Sequence, residues 1–147
     1  MGGELASFMS SSTSASLLVG MYSLSALSKF VSEEHRKLFP TLPGWFWSAA
    51  GAWELAMTAL FLHGDYTLAI PMSYTYLGGA LSAGLLLSPS GHKIPLTLLP
   101  TAFILITSSL AAHSNINLYP QMPIFCVSGF AIGTVFAYSG GSSNKSD

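Results

Sequence analysis

The sequence predicts an all-α fold, a polytopic bundle of transmembrane helices built from five spanning segments. Two observations support this prediction. The 147 residues carry five Lys or Arg and six Asp or Glu, whereas a soluble domain of this length carries about 37 charged residues. Hydrophobic residues make up 50% of the chain, and its mean hydropathy is +0.53. This composition excludes a disordered chain, a basic nucleic-acid-binding protein and an ordinary cytosolic enzyme.

Five apolar segments have the length that a membrane requires, because about 20 mainly apolar residues cross a bilayer core of about 30 Å as a helix. They are separated by polar or proline-containing connections, and they cover residues 12–31, 44–62, 66–87, 94–112 and 122–138. The fifth segment is the shortest, so four spans plus a re-entrant fifth segment is the alternative. We expect residues 1–11 to form a polar N-terminal segment and residues 139–147 to form a flexible tail.

The basic residues predict the orientation of the bundle. If all five segments span, then Lys29, Arg36 and Lys37 at the first connection lie on the same side as Lys93 at the third and Lys145 in the tail. By the positive-inside rule, this side is the cytosol or the equivalent matrix or stromal compartment. The first three of these residues are also candidates for docking a partner. The sequence leaves open which membrane holds the protein.

Small residues recur at helical spacing and predict close packing between helices. The glycines expected at such contacts are Gly20, Gly51, Gly78, Gly79, Gly84, Gly129 and Gly133. The last two form a GxxxG motif on the fifth segment, which we expect to pack within the bundle, a contact with a second protein being the alternative. Trp45 and Trp47 begin the second segment, where an aromatic belt at the membrane surface is expected.

Glu54 is the acidic residue that falls within a predicted span, near the middle of the second segment. At 1.5 Å per residue it lies roughly 13 to 15 Å from the start of that segment. A carboxylate is costly there, so it must face the interior of the bundle and find partners or bind a proton. The partners expected at the same depth are the hydroxyl-bearing residues Tyr22, Ser23, Tyr74 and Tyr76. Lys29 is expected about 10 Å away along the bundle, too far for a direct ion pair unless the chain bends inward.

Two interpretations of Glu54 stay open at this point. It can be structural, hydrogen-bonded to tyrosine hydroxyls across the bundle. It can also act as a proton carrier, as a ligand for a polar headgroup, or as the polar floor of a cavity.

Two histidines define a second candidate site. His63 and His113 end the second and fourth segments on one side of the membrane, where they could bind a metal or a tetrapyrrole. Polar helix ends at the membrane surface are the alternative. The sequence contains no Cys and His cluster with zinc-site spacing, no nucleophile motif and no pair of carboxylates. We therefore predict neither a dedicated metal site nor catalytic residues.

Short motifs resemble the DoxX-like family of small integral membrane proteins. They are LSKF at 27–30, GAWELA at 51–56 and GGA at 78–80. The similarity covers about residues 15–112, and the family's usual bundle has four helices, so the fifth segment departs from that pattern. The resemblance implies a relation to subunits of quinol-oxidising respiratory complexes, to redox-linked membrane proteins or to assembly chaperones. Lys29 and Glu54 are the two residues that match the family's motifs.

The favoured functional hypothesis is a non-catalytic accessory or assembly subunit of a larger membrane complex, such as a bioenergetic one. Its partners are then the lipid bilayer and other membrane-protein subunits, and no nucleic acid. One alternative is a redox-, quinone- or lipid-linked protein that uses the carboxylate of Glu54. Another is a pigment-associated subunit of a photosynthetic membrane complex that uses His63 and His113. Quinone, lipid and pigment are accordingly the ligands that these hypotheses name.

Overall fold

The computed structural model describes residues 10–31, 33–40, 42–87, 90–116 and 118–145, which form helices joined by turns, with no strand among them. The all-α class is therefore confirmed. The helices are α1 (Ser11–Val31), α2 (Glu34–Leu38), α3 (Gly44–His63), α4 (Tyr66–Leu86), α5 (Lys93–His113) and α6 (Leu118–Lys145). A single 3-10 turn, Ser90–His92, precedes α5. Residues 1–9 of the predicted polar N-terminal segment lie outside the described residues.

The ends of α3 follow from two residues with restricted or permissive backbones. Pro43 precedes the helix in an extended conformation, with φ −67° and ψ 154°. Gly64 follows it with φ 85°, and its N–H points back to the carbonyls of Leu60 and Phe61. This left-handed conformation favours glycine and satisfies the last carbonyls of the helix. The helix therefore ends at His63, and α4 begins at Tyr66, after two intervening residues.

Helix α6 is longer than predicted at both of its ends, since it begins at Leu118 and ends at Lys145. Pro120 lies in its first turn, where a proline is tolerated because the N–H groups of that turn have no partner within the helix. At the other end, each residue added to an existing helix gains one backbone hydrogen bond. A flexible tail was predicted from residue 139, whereas the structure continues α6 through Lys145.

Two helices, α1 and α5, are long and apolar enough to cross a membrane, each with 21 residues. Within α6, the segment Met122–Tyr138 is a shorter apolar stretch. Helix α4 packs against both α5 and α6, while α1 packs against α3 and α5. The contact between α3 and α4 is less extensive than these. The main buried cluster includes Leu18, Tyr22, Met57, Phe61, Ile70, Tyr74 and Leu110.

A second buried cluster closes one end of the bundle. It consists of Phe39 and Leu42 from the connection after α2 together with Trp47 of α3. Trp47 is 5% exposed, whereas Trp45 is 61% exposed. The prediction of a surface belt is therefore wrong for Trp47, because the connection folds over it and its ring packs against Phe39 and Phe46.

Glycines bring the backbones of α4 and α6 into direct contact. A Cβ atom at Gly78 would overlap the backbone carbonyl of Cys126, and one at Gly129 would overlap that of Thr75. Two further glycines of this seam are Gly79 and Gly133. Any larger residue at Gly78 or Gly129 would force the helices apart, since the neighbouring atoms belong to the backbone. The GxxxG motif of α6 is thus used inside the chain.

The remaining helical glycines differ in how closely other residues approach the position that a Cβ atom would take. A Cβ at Gly84 would lie 2.5 Å from the carbonyl oxygen of Leu96 on α5, and one at Gly51 would lie 2.8 Å from the ring of Phe30 on α1. Gly20 was also predicted at a helix contact, but, apart from the adjoining part of its own helix, no atom of the described residues lies within 4 Å of the position that its Cβ would take. That prediction is wrong, because the face of α1 that carries Gly20 has no closely packed neighbour there.

Candidate functional site

Glu54 lies in the interior of the bundle, with 1% of its surface exposed. The buried positions of α3 recur every three or four residues, and they are Trp47, Gly51, Glu54, Met57, Thr58 and Phe61. This spacing defines one face of a helix. The carboxylate therefore projects from the buried face of α3 among apolar and small neighbours.

One carboxylate oxygen of Glu54 collects three hydrogen bonds. Its Oε1 accepts from Lys29 Nζ at 2.8 Å and from Ser25 Oγ at 2.8 Å. The hydroxyl of Tyr76 donates the third. Lys29 Nζ also donates to Ser25 Oγ at 2.6 Å and lies 5.9 Å from the centre of the Tyr76 ring. We call these four residues, Ser25, Lys29, Glu54 and Tyr76, the Glu54 cluster; it joins α1, α3 and α4.

The direct ion pair between Lys29 and Glu54 contradicts the expectation that these residues lie too far apart. Lys29 is roughly 3 Å from the end of α1, whereas Glu54 is roughly 15 Å from the start of α3, at 1.5 Å per residue. Because their side chains meet, the end of α1 must lie deeper in the bundle than the start of α3. The flexible stem of the lysine also carries its ammonium group inward. Both side chains are buried, so Lys29 is not the surface docking residue that was predicted.

The other predicted partners of Glu54 bind elsewhere. The hydroxyls of Tyr22 and Ser73 lie 2.5 Å apart and share a hydrogen bond. Tyr74 shares one with Ser108 of α5, at 3.0 Å. Ser23 donates to a carbonyl of its own helix at 2.7 Å. The two tyrosine contacts join different helices and that of Ser23 stays within its own helix; none reaches the carboxylate, so Tyr76 is the predicted partner that the structure brings to Glu54.

Ser25 is the member of the cluster that sequence reasoning missed. Tyr22, Ser25 and Lys29 are spaced three and four residues apart on α1, which places them on one face of that helix. This spacing was a signal that α1 presents a polar stripe toward α3.

The second carboxylate oxygen of Glu54 differs from the first in its hydrogen bonding. Its Oε2 is buried and has no hydrogen-bond partner among the described residues. Buried polar atoms are nearly always hydrogen-bonded, because an unpaired one has lost its water without gaining a replacement. Oε2 therefore retains the capacity to accept a hydrogen bond, and none of the described residues supplies one.

A cavity of about 440 Å³ borders the Glu54 cluster. Its volume falls within the range of about 300 to 1,000 Å³ that is typical of small-molecule sites. The polar residues in its wall are the four of the Glu54 cluster with Tyr22 and Thr75. Its tryptophans and phenylalanines, which include all three tryptophans of the chain, are Phe39, Trp45, Phe46, Trp47, Trp53, Phe103 and Phe136. The arrangement is an aromatic chamber with one charged, hydrogen-bonding wall.

The remaining candidate residues lie away from this chamber. His63 and His113 are exposed in the last turns of α3 and α5, and the tetrapyrrole hypothesis that rests on them stays a prediction. Across the described ranges there is no group of three or more His, Cys, Asp or Glu that could hold a metal ion. Arg36 and Lys37 are exposed on α2, and Lys37 lies 3.5 Å from Glu34 in an exposed pair.

Comparison of the chain with protein-family models, with curated proteins and with solved structures finds no match. The resemblance to DoxX-like proteins therefore stays a prediction that rests on the short motifs themselves. The structure adds one fact about those motifs, since their two matching residues, Lys29 and Glu54, are the members of the buried ion pair.

Proposed function

We propose that the chain is a multi-pass integral membrane protein in which α1, α3, α4, α5 and α6 all cross the bilayer. Large apolar side chains on the outer surfaces of all five helices support this, among them Leu24, Leu62, Leu68, Ile94 and Val127. Polar side chains are buried inside instead, including Ser14, Ser73, Ser82, Thr107 and Ser109. Lipid favours this arrangement, because it solvates apolar surfaces and leaves polar groups to find partners within the protein.

The proposed orientation keeps the C-terminus on the cytosolic side or its matrix or stromal equivalent. Lys29 no longer counts toward this argument, because it is held in the ion pair. Arg36, Lys37, Lys93 and Lys145 remain, and five spans place all four on one side. Single cysteines at residues 65 and 92, in a Cys126→Ser background, should label from opposite sides of sealed vesicles. Labelling of both from the same side would contradict the five-span topology.

We further propose that the protein binds a small apolar or amphiphilic molecule, of lipid- or quinone-like character, in the chamber beside Glu54. The observation that carries this proposal is the buried ion pair on the wall of an aromatic cavity of about 440 Å³. A buried ion pair is a poor source of stability compared with hydrophobic packing of the same volume. Ionisable residues placed within a membrane are, for that reason, usually functional.

Ligand binding can be tested by filling the chamber. Ala80 of α4 lines it, while Ala59 of α3 is exposed and lies outside it. Protein purified in a mild detergent should release a co-purifying small molecule on solvent extraction, detected by mass spectrometry. Ala80→Phe should abolish that signal, and the matched control Ala59→Phe should retain it. Equal recovery from the two variants, both folded, would contradict the proposal.

The second proposal is a non-catalytic accessory or assembly subunit of a larger membrane complex. The connections between the helices support this proposal, because they offer little surface outside the bundle. Only Gly64 and Asp65 separate α3 from α4, and the connection after α2 is folded onto the bundle. Partner contacts would then form within the membrane. Native gels in mild detergent test this, since migration only as a small free species would contradict it.

A further inference from the structure

We propose that the ligand of the chamber is a neutral amphiphile whose head carries a hydroxyl group, and that this hydroxyl donates a hydrogen bond to Oε2 of Glu54. The inference rests on the proposed ligand-binding function of the chamber and specifies its chemistry. It follows from the two oxygens of one carboxylate, from the charges around them and from the shape of the apolar wall.

The hydrogen bonds of Glu54 determine the kind of group that is missing. An ionised carboxylate only accepts hydrogen bonds, and its two oxygens offer about four acceptor sites. Ser25, Lys29 and Tyr76 all donate to Oε1, whereas Oε2 receives nothing from the described residues. Because Oε2 is buried, a hydroxyl group from the chamber can fill that position when the side chains that enclose this oxygen move to admit it. A ketone, an ether or an ester cannot, because each of them only accepts.

The charges around the site determine that the head is neutral. Lys29 already balances the charge of Glu54 at 2.8 Å. A carboxylate or phosphate head would bring a second negative charge against Oε2, and like charges in a medium of low dielectric constant repel strongly. A cationic head would leave an excess positive charge next to Lys29. The polar groups that otherwise line this wall, on Tyr22, Thr75 and Tyr76, are hydroxyls and add no charge.

The rest of the chamber determines that the ligand is mainly hydrocarbon. Beyond the polar wall its lining consists of aromatic rings and aliphatic side chains such as Leu77, Leu99 and Phe136. Trp45 and Trp53 also line it, although they are 61% and 40% exposed. The wall that contains these two rings therefore reaches the outer surface of the bundle. A molecule dissolved in the bilayer can enter there without passing through water.

The test compares three probes that share one brominated chain and differ only in the head. They are 11-bromoundecan-1-ol, its methyl ether and 11-bromoundecanoic acid. Bromine quenches tryptophan fluorescence, and all three tryptophans of the chain line the chamber. The protein is placed in phosphatidylcholine nanodiscs, since that lipid head has no hydrogen-bond donor. Ala80→Phe gives the quenching due to probe that is merely dissolved in the bilayer, which is subtracted.

The expected result is that the alcohol binds at least about tenfold tighter than the ether, the difference that a charge-assisted hydrogen bond makes. The acid should bind no better than the ether. In the double variant Lys29→Met/Glu54→Met, which removes the acceptor without leaving a lone buried charge, the alcohol and ether should bind equally. The ratio of the alcohol and ether affinities in the unmodified protein does not depend on whether any variant folds.

Other outcomes would overturn the inference in distinguishable ways. If alcohol and ether quench equally in the unmodified protein and Ala80→Phe removes both signals, then the chamber binds apolar molecules but Oε2 is satisfied by water alone. In that case the ligand-binding function stands and the hydroxyl assignment falls. If the acid binds best, the neutral head is wrong. If no probe quenches saturably, the ligand-binding function falls as well.

Discussion

Two regions of the bundle hold their helices together by opposite means. Along the seam between α4 and α6, glycines allow backbone to touch backbone, and a single added carbon atom at Gly78 or Gly129 would collide. Around Glu54, in contrast, α1, α3 and α4 meet through an ion pair and hydrogen bonds between long side chains. In the first region the backbones touch, and Gly79, Gly129 and Gly133 form one wall of the cavity of about 440 Å³, whereas the second region supplies the charged wall of that cavity.

Side-chain size determines where a bundle of membrane helices can bind a ligand. Small residues allow close packing, which supplies the attraction that lipid does not. Large aromatic residues near the start of α3 and a charged cluster at its middle keep α3 from packing as closely against α4. The close seam is therefore the structural part of the bundle, and the polar, open region is the part available for function.

The largest expected effect comes from breaking the close seam. Gly129→Leu should destabilise the protein by at least about 5 kcal/mol, because a backbone carbonyl occupies the space that the side chain needs. Thermal unfolding in detergent micelles measures this, and faster labelling of Cys126 reports the separation of α4 from α6. The matched control is Gly20→Leu, which places the same side chain in open space and should change stability by no more than about 1 kcal/mol. Similar losses in both variants would contradict the seam.

Breaking the ion pair should have the next largest effect. Glu54→Met leaves the ammonium of Lys29 buried without its partner, which costs about 3 to 5 kcal/mol. The same unfolding experiment measures it. Glu33→Met removes an acid of the exposed connection and serves as the control, with little change expected. If both variants melt alike, Glu54 is not paired in the folded protein.

A smaller effect is expected from removing one hydrogen bond of the cluster. Tyr76→Phe deletes the hydroxyl that donates to Glu54 and keeps the ring, at a cost of about 1.5 to 3 kcal/mol for a bond to a charged group. Tyr138→Phe makes the same change on a tyrosine that is 69% exposed and should be neutral. Equal stability of the two variants would place the Tyr76 hydroxyl outside the cluster.

The smallest effect is expected at the exposed pair on α2. Lys37 and Glu34 lie 3.5 Å apart with side chains 69% and 72% exposed, so water screens their attraction. Lys37→Ala should change stability by less than about 0.5 kcal/mol, measured by thermal unfolding at low and high salt. A loss comparable to that of Glu54→Met would mean that α2 is held far more tightly than its exposure indicates.

Much of the fold was predictable, because the length of an apolar segment and the residues that end a helix can be read from the local sequence. Proline and glycine at positions 43 and 64 mark the ends of α3 in the sequence, and the helix has those ends. The extent of α6 was not predictable in the same way. The polar residues after Tyr138 suggested a loose tail, but a helix that has already formed propagates through them.

The candidate site was predictable in part. Glu54 and its contact with Tyr76 followed from depth, since both residues fall near the middle of their helices. The pairing with Lys29 did not follow, because the sequence gives positions along each helix and no information on how far α1 is displaced relative to α3. The cavity was equally out of reach, since it depends on where α3 sits relative to α4 and α6.

A double-mutant cycle on Lys29 and Glu54 tests the central claim, a buried ion pair between α1 and α3, most directly. Lys29→Met and Glu54→Met should each destabilise the protein by about 3 to 5 kcal/mol, and the double variant should be about as stable as the unmodified protein or more so. That result corresponds to strong coupling between the two positions. If the losses of the single variants simply add in the double variant, the two side chains do not meet and the ion pair is refuted.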